Sequence, residues 1–400
     1  MARYRAPLPD DLKELIVLCR AGKLFAVQQW ISTGKRFRLP PGKYSTSPFT
    51  AALATGFHSL VEVFLSAGIP QDEMDHALCQ SVNNSRLDLI ELLTSYGADI
   101  VRVCRESVIC NRNPLILRWF VSHGMDLEVG NLIAYAFRIK NRGFLGPFMD
   151  IRDQVPSARK QASMALRFHA KNGNLKWVCL LIWAGADPRM AVPDLECSPP
   201  EEFIETALED TISHGHVEIV RKIGIDASRD NPTELLSQYI VTPKPEIYTL
   251  LLDAGADPNG RDQKGKPMES LISNFEWSLD QSIWRTDNEP IFQCIELLAS
   301  RGGRWNPEES YRLSCLRRAI GKAPMLSAIS GLTRIIKSGA IDKEVFSTLM
   351  NTPKMKAFLS SSYMGVAYLR EFAGQAKLAA RRERTRSRAR NPATKLGSSR

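Results

Sequence analysis

Glycine recurs along this chain just after a short apolar helical stripe, and that recurrence restricts the fold more than any other feature. In EIYTLLLDAGADPNGRDQKGKP, Ile247, Leu250, Leu251 and Ala254 fall at i, i+3, i+4 and i+7, which places one apolar stripe on one helix face. Gly255 ends that helix, because it adopts the left-handed conformation without strain. Ala256, Asp257, Pro258 and Asn259 then form a turn, Asp262 and Gly265 supply further turn chemistry, and Pro267 opens a new helix. Counting back from the glycine, positions −8, −5 and −4 define the stripe. They are Leu60, Val63 and Phe64 before Gly68; Leu89, Leu92 and Leu93 before Gly97; and Ile116, Trp119 and Phe120 before Gly124. Trp177, Leu180 and Leu181 precede Gly185, and Cys294, Leu297 and Leu298 precede Gly302. Gly34 (Ala26, Gln29, Trp30) and Gly339 (Gly331, Arg334, Ile335) are weaker members. A second glycine marks position −12 at Gly22, Gly56 and Gly173; by the same offset Gly143 points to a unit ending near Val155, and Gly215 to one ending near Ala227.

Ten helix pairs result, with anchors at 34, 68, 97, 124, 155, 185, 227, 255, 302 and 339. The order helix, GAD-P-N, D-x-x-G, x-P resembles the ankyrin repeat, with a period of about 33 residues. Ser47-Pro48-Phe49-Thr50 keeps the T-P-L-H shape approximately, and Lys266-Pro267-Met268-Glu269 keeps the proline. The resemblance implies an all-α solenoid of about nine to ten stacked helix pairs with short hairpin fingers. A helix pair cannot bury its apolar face alone, so neighbours must stack. The expected organisation is an array over 1–340, with an N-terminal cap near 8–34, and a C-terminal helical cap over 341–376 using Val345, Phe346, Leu349, Tyr368, Leu369 and Phe372. Residues 377–400 read as a disordered basic tail. Two gaps are too long for the repeat and predict inserts near 186–204 and 273–290. The first has four prolines in PRMAVPDLECSPPEE and reads as an ordered, non-helical loop; the second carries Trp277, Trp284 and Arg285.

Composition narrows the function. The eight cysteines are scattered with no C-x-x-C pair, which argues against a zinc or redox site and for reduced thiols. The N-terminus lacks the apolar core of a signal peptide, and no apolar run reaches the roughly 20 residues of a membrane span. Histidines 58 and 216 sit beside the inter-helix position and read as packing residues, as do the others at 76, 123, 169 and 214. No phosphate loop, nucleophile elbow or H-E-x-x-H helix occurs. The acid pairs Glu201-Glu202 and Glu308-Glu309 suit helix first turns. Trp30, Trp119 and Trp177 are expected in the core, Trp183 against the next unit, and Trp305 in a gap between repeats.

The expected protein is therefore a non-enzymatic, cofactor-free, cytoplasmic recognition module that binds another protein through its inner helices and turn tips. The partner contact is placed on Arg261, Gln263, Lys264, Trp277, Trp284 and Arg285, a charged tip beside an aromatic insert. The alternative is a nucleic-acid-associated protein. Of the net charge of +10, +8 lies beyond residue 376, carried by Lys377, Arg381, Arg382, Arg384, Arg386, Arg388, Arg390, Lys395 and Arg400 against Glu383. Such a tail would meet phosphates or an acidic surface weakly and non-specifically, or act as a nuclear address in a eukaryotic cell. An enzyme with a site in the 186–204 loop is the third and weakest reading.

Overall fold

The structure is a computed structural model that describes residues 9–39, 46–196, 204–237, 243–261, 265–280, 288–305, 310–322, 325–341 and scattered positions from 345 to 357. It divides into two units, Met1–Ala207 and Leu208–Arg400. Both are stacks of helix pairs, and twenty α-helices are described in all. In the first unit the pairs are α1 (Asp10–Arg20) with α2 (Leu24–Ser32), α3 (Pro48–Thr55) with α4 (His58–Ser66), and α5 (Gln71–Asn83) with α6 (Leu87–Ser95). They continue with α7 (Arg105–Cys110) and α8 (Pro114–Ser122), α9 (Leu132–Arg138) and α10 (Leu145–Ile151), and α11 (Ala158–Lys171) and α12 (Leu175–Ala184). The second unit holds α13 (Ala207–Ser213) with α14 (Val217–Ile223), α15 (Pro232–Ser237) with α16 (Pro245–Asp253), α17 (Pro267–Asp280) with α18 (Glu289–Ser300), and α19 (Ser310–Lys322) with α20 (Met325–Lys337). First helices pack on first helices, as α5 on α7, α7 on α9 and α17 on α19; second helices pack on second helices, as α4 on α6 and α16 on α18.

Local chemistry sets the ends. Ser47 caps α3 in a reciprocal box: its Oγ accepts from Thr50 N at 3.0 Å, and its own N–H donates to Thr50 Oγ1 at 2.8 Å. Pro48, Pro114, Pro245 and Pro267 occupy first positions, where no N–H is needed. Every glycine anchor named from the sequence is left-handed, from φ 74° at Gly34 to 100° at Gly185.

The buried stripe is wider than expected and shifted by one side chain. Positions −8 and −4 are buried in most pairs, but the third core position is −7: Val27, Val61, Ile90, Leu117, Val178, Tyr248, Ile295 and Leu332. Position −5 is only half-buried at Val63, Trp119, Leu180, Leu250, Leu297 and Arg334. At about 100° per residue, −8, −4 and −7 span one arc, and −5 lies some 60° outside it. Trp119 is therefore not core; it stacks on His123 with centroids 3.9 Å apart.

Three unit boundaries differ from the glycine arithmetic. The turn between α9 and α10 is closed by Lys140 at φ 61°, whose N–H donates to Phe137 O while Asn141 N–H donates to Ala136 O. Gly143 lies in the following 3-10 turn, where an added Cβ would stand 2.4 Å from Arg112 O; it is glycine for clearance, not for handedness. Ser85, at φ 57°, does between α5 and α6 what glycine does elsewhere. Helix α14 ends at Gly224, earlier than Ala227. The last pair looked weak because Gly331 stands where a leucine was expected. A Cβ there would meet the Phe275 and Phe292 rings at 2.6 and 2.8 Å, so two aromatics fill the space instead.

The connections use the G-A-D sequence as a fixed device. In Gly97-Ala98-Asp99, Gly185-Ala186-Asp187 and Gly255-Ala256-Asp257 the alanine is buried, and its N–H donates to a carbonyl of the helix just ended. The aspartate N–H donates to a side chain 24 residues earlier, on the first helix of the pair: Asp75 Oδ1, Ser163 Oγ and Thr233 Oγ1, at 2.9, 3.0 and 2.9 Å. The aspartate Oδ1 then accepts the N–H two residues on, at 2.9 Å in all three. Among the described residues a paired-strand connection between helix pairs is seen once, between α12 and α13. The one two-stranded sheet there is β1 (Val192–Pro193) with β2 (Ile204–Glu205), antiparallel, pairing Val192 with Glu205.

Candidate functional site

The two inserts behave differently. The second begins as helix: residues 273–280 extend α17, which buries Phe275 and Leu279 and exposes Trp277. Trp277 is 56% exposed, the largest exposed side chain described on a first helix. Arg261 is exposed just beyond the turn in which Asn259 N–H reaches Asp257 Oδ1. Gln263 and Lys264 lie outside the described residues, as do Trp284 and Arg285. So do Tyr368, Leu369 and Phe372 of the expected C-terminal cap, Cys197, and the whole tail with Lys377, Arg381, Arg382, Arg384, Arg386, Arg388 and Arg390. Of the six residues expected at the partner contact, two are thus placed, both exposed and both in the second unit.

The described part of the first insert, residues 186–196 and 204, packs on α9 and α11 through Val192. Arg167, on α11, is 2% exposed; it donates to Val192 O and stands 3.4 Å from Glu205 Oε2. One turn later Lys171 Nζ is 2.8 Å from Asp194 and 3.5 Å from Glu196. Burial opposes the Asp194 charge, but the hydrogen bonds from Lys171 and Glu196 N–H and the nearby cations outweigh it, so the carboxyl is held below its usual range. Beneath these pairs Val192 packs on Ala134 and Met164, with Met190 and Leu195 alongside. No signal in the repeat pattern pointed to Arg167; the same position holds buried Ile16 in α1, buried Ala134 in α9 and half-buried Cys79 in α5. Counted from the left-handed residue that closes each turn, Met164 matches His76 of α5 and Arg167 matches Cys79. His76 is exposed and bonded to Gln80, and Cys79 is half-buried.

Three histidines are held by neighbouring groups, whereas His58, His76 and His123 are exposed. His169 is fully buried; its Nε2 donates to Phe137 O at 2.9 Å and its ring stacks on Trp177. Its Nδ1 has no partner, and burial lowers the imidazole below its ordinary pKa. His214 and His216 stack with centroids 6.3 Å apart, and His214 Nδ1 lies 2.8 Å from Asp210 O. No group of three metal-ligating side chains comes together among the described residues. Trp30 and Trp177 are buried as expected, and Trp305 is buried, its backbone N–H donating to Ala340 O at 2.7 Å. Trp183 is 66% exposed, against the expectation that it packs on a neighbouring unit. The described helices include none long and apolar enough to cross a membrane.

No protein-family profile matches the sequence, and no curated protein matches it. Among solved structures, the crystal structure of the human ASB11 ankyrin repeat domain is similar to it at 15% identity, covering 73% of this chain and 99% of that chain, with a TM-score of 0.22.

Proposed function

We propose that this chain is a non-enzymatic protein-recognition module of the cytoplasm, and that a partner protein docks on the second unit around Arg261 and Trp277, with Gln263, Lys264, Trp284 and Arg285 extending the contact. The observation that carries the reading is Trp277, more than half exposed between the buried Phe275 and Leu279 on a first helix. A tryptophan left in water at a rigid helical position is an inexpensive anchor, because little conformational entropy remains to be lost on binding. Exposed Arg261 gives a polar margin of the kind that surrounds such anchors.

The test uses partner captured from the native host by the full chain. Trp277→Ala and Arg261→Glu, made separately, should each weaken capture at least fivefold and leave the melting temperature within about 1 °C. Capture that survives both variants removes this surface from the reading. A fall in melting temperature with Trp277→Ala would make the side chain part of the fold instead.

A further inference from the structure

Among the described residues, six turns within helix pairs are closed by a left-handed residue: Gly22, Gly56, Ser85, Lys140, Gly173 and Gly215. The turn between α9 and α10 differs from the other five in charge. Two residues before its left-handed residue, at it, and two after it stand Arg138, Lys140 and Arg142. The sister turns have at most one lysine or arginine at those three positions, Arg20 after α1 and Lys171 after α11. Lys140 has φ 61° where four of the five sisters have glycine, and a side chain kept in a conformation that favours glycine points to a use for that side chain. The turn is also clamped to the one before it. Asn141 is buried, and its Nδ2 donates to Ile109 O and Asn111 O at 2.6 and 2.9 Å. Gly143 N–H donates to Asn141 Oδ1 at 3.0 Å, and the Gly143 Cα lies so close to Arg112 O that a Cβ would not fit. Arg112 is thereby held against the 142–143 backbone and adds a fourth cation. All four side chains are exposed, and none is in an ion pair among the described residues; Arg138 lies over the Phe168 ring at 5.4 Å. Elsewhere along the row of turns the acids are already matched, Asp88 by Arg86 and both Asp194 and Glu196 by Lys171. The sequence has no acid from 107 to 125 or from 129 to 149.

We infer that this two-turn platform binds the phosphate backbone of a nucleic-acid strand. Arginine meets phosphate bidentately, and a clamped turn presents its cations with little ordering left to do on binding. A strand with one charge per nucleotide matches four cations on two adjoining turns at any register, and release of its counterions supplies affinity without apolar contact. An acidic peptide needs pockets for its side chains as well, and Ile139 is the one large apolar side chain exposed on the turn. The Phe168 ring is half-buried beneath Arg138, so it offers no open face to a base and the contact is sequence-independent. The platform lies in the first unit. It is separate from the protein contact around Trp277 and Arg261 and from the contact expected of the basic tail, and neither of those readings depends on it.

Two measurements on the full chain test it, with a fluorescein-labelled single-stranded oligothymidylate of about 20 nucleotides as the probe. In the first, Lys140→Gly and Arg142→Gln are made together and binding is titrated from about 50 mM salt upward. The double variant should bind at least fivefold more weakly at low salt, and its slope of log K against log salt should be shallower by about 1.4, or about 0.7 for each cation removed. Glycine suits the backbone at 140, so the melting temperature should not fall. Unchanged affinity and slope would put all binding elsewhere, the tail included, and overturn the proposal, as would a parent chain that does not bind the probe. The second measurement needs no substitution. Acetylation of lysines by N-hydroxysuccinimide acetate is followed by mass spectrometry, with exposed Lys13 of α1 as the reference. The oligonucleotide should slow acetylation of Lys140 at least fivefold and leave Lys13 unchanged. No protection of Lys140 overturns the proposal, and equal protection by a polyglutamate peptide of the same length overturns it in favour of an acidic protein segment.

Discussion

Helices α5 and α11 occupy the same place in two copies of one repeat and live in different solvents. In α5 the outward positions are His76 and Gln80, bonded to one another at 3.0 Å in water. In α11 the matching positions are Met164 and Phe168, with Arg167 between them, and the strand at Val192 covers Met164 and Arg167. The packing against the second helix is common to both: Leu93 and Leu181 fill the same site, as do Ile90 and Val178. The repeat therefore fixes one face of each first helix and leaves the other free to take its chemistry from whatever the connections bring.

If that division holds, the shared face must respond alike in both regions. Leu93→Ala and Leu181→Ala should each cost about 2–5 kcal/mol by urea unfolding, the usual range for a truncated core leucine. A difference of more than about 3 kcal/mol between them would break the comparison at its base. The other face must respond unequally. Met164→Ala should cost about 2 kcal/mol or more, since it empties a buried site, and His76→Ala should stay within about 0.5 kcal/mol. Equal effects would mean that the hairpin contributes no packing.

The two histidines sharpen the contrast through pH. His169 is buried beneath α11's turn and its pKa is lowered, first by burial and then by the Lys140 charge, against the bond to Phe137 O. The folded state accordingly binds fewer protons than the unfolded chain. Stability is complete above the unfolded value of about 6.5 and falls as pH drops below it, by at most about 1.4 kcal/mol per pH unit for one group. Denaturation midpoints at pH 7.5 and 5.5 should differ more in the parent than in His169→Gln. A smaller effect belongs to the ion pair of buried Asp194 with half-buried Lys171. Asp194→Asn should lower stability by about 1 kcal/mol or less in low salt, and the difference should shrink in 0.5 M salt. Its carboxyl is held low, so the contribution persists above pH 4 and is lost only as pH falls through the folded value.

Much of this was legible in the residues and some was not, for reasons that can be stated. A left-handed glycine after an apolar stripe is a local requirement, and it marked eight of the ten second-helix ends. The core position −7 escaped because one stripe per helix was sought, whereas a helix packed on neighbours along its stack presents a wider arc. Lys140 and Ser85 escaped because they do a glycine's work with a side chain, at a cost of about 1–2 kcal/mol each that only the surrounding packing repays. The hairpin was recognised as non-helical from its prolines, but its seat on α11 depends on Arg167, and a single arginine in an amphipathic helix announces nothing. The extension of α17 through 273–280 was hidden by reading excess length as a loop.

The G-A-D bond has a consequence for how such a chain can change length. Donor and acceptor are 24 residues apart at Asp75 and Asp99, at Ser163 and Asp187, and at Thr233 and Asp257. Both ends lie within one helix pair and its closing turn. A genetic duplication or excision whose edges fall just after the aspartate and its Asx turn copies or removes the lock whole, together with the buried alanine. One whose edges fall between the helices separates lock from keeper in two places at once. Lineages of this chain should thus gain and lose material in whole modules, with breakpoints clustered directly downstream of the aspartate, and a truncation series cut at residues 102, 190 or 260 should yield better-behaved fragments than one cut a dozen residues to either side.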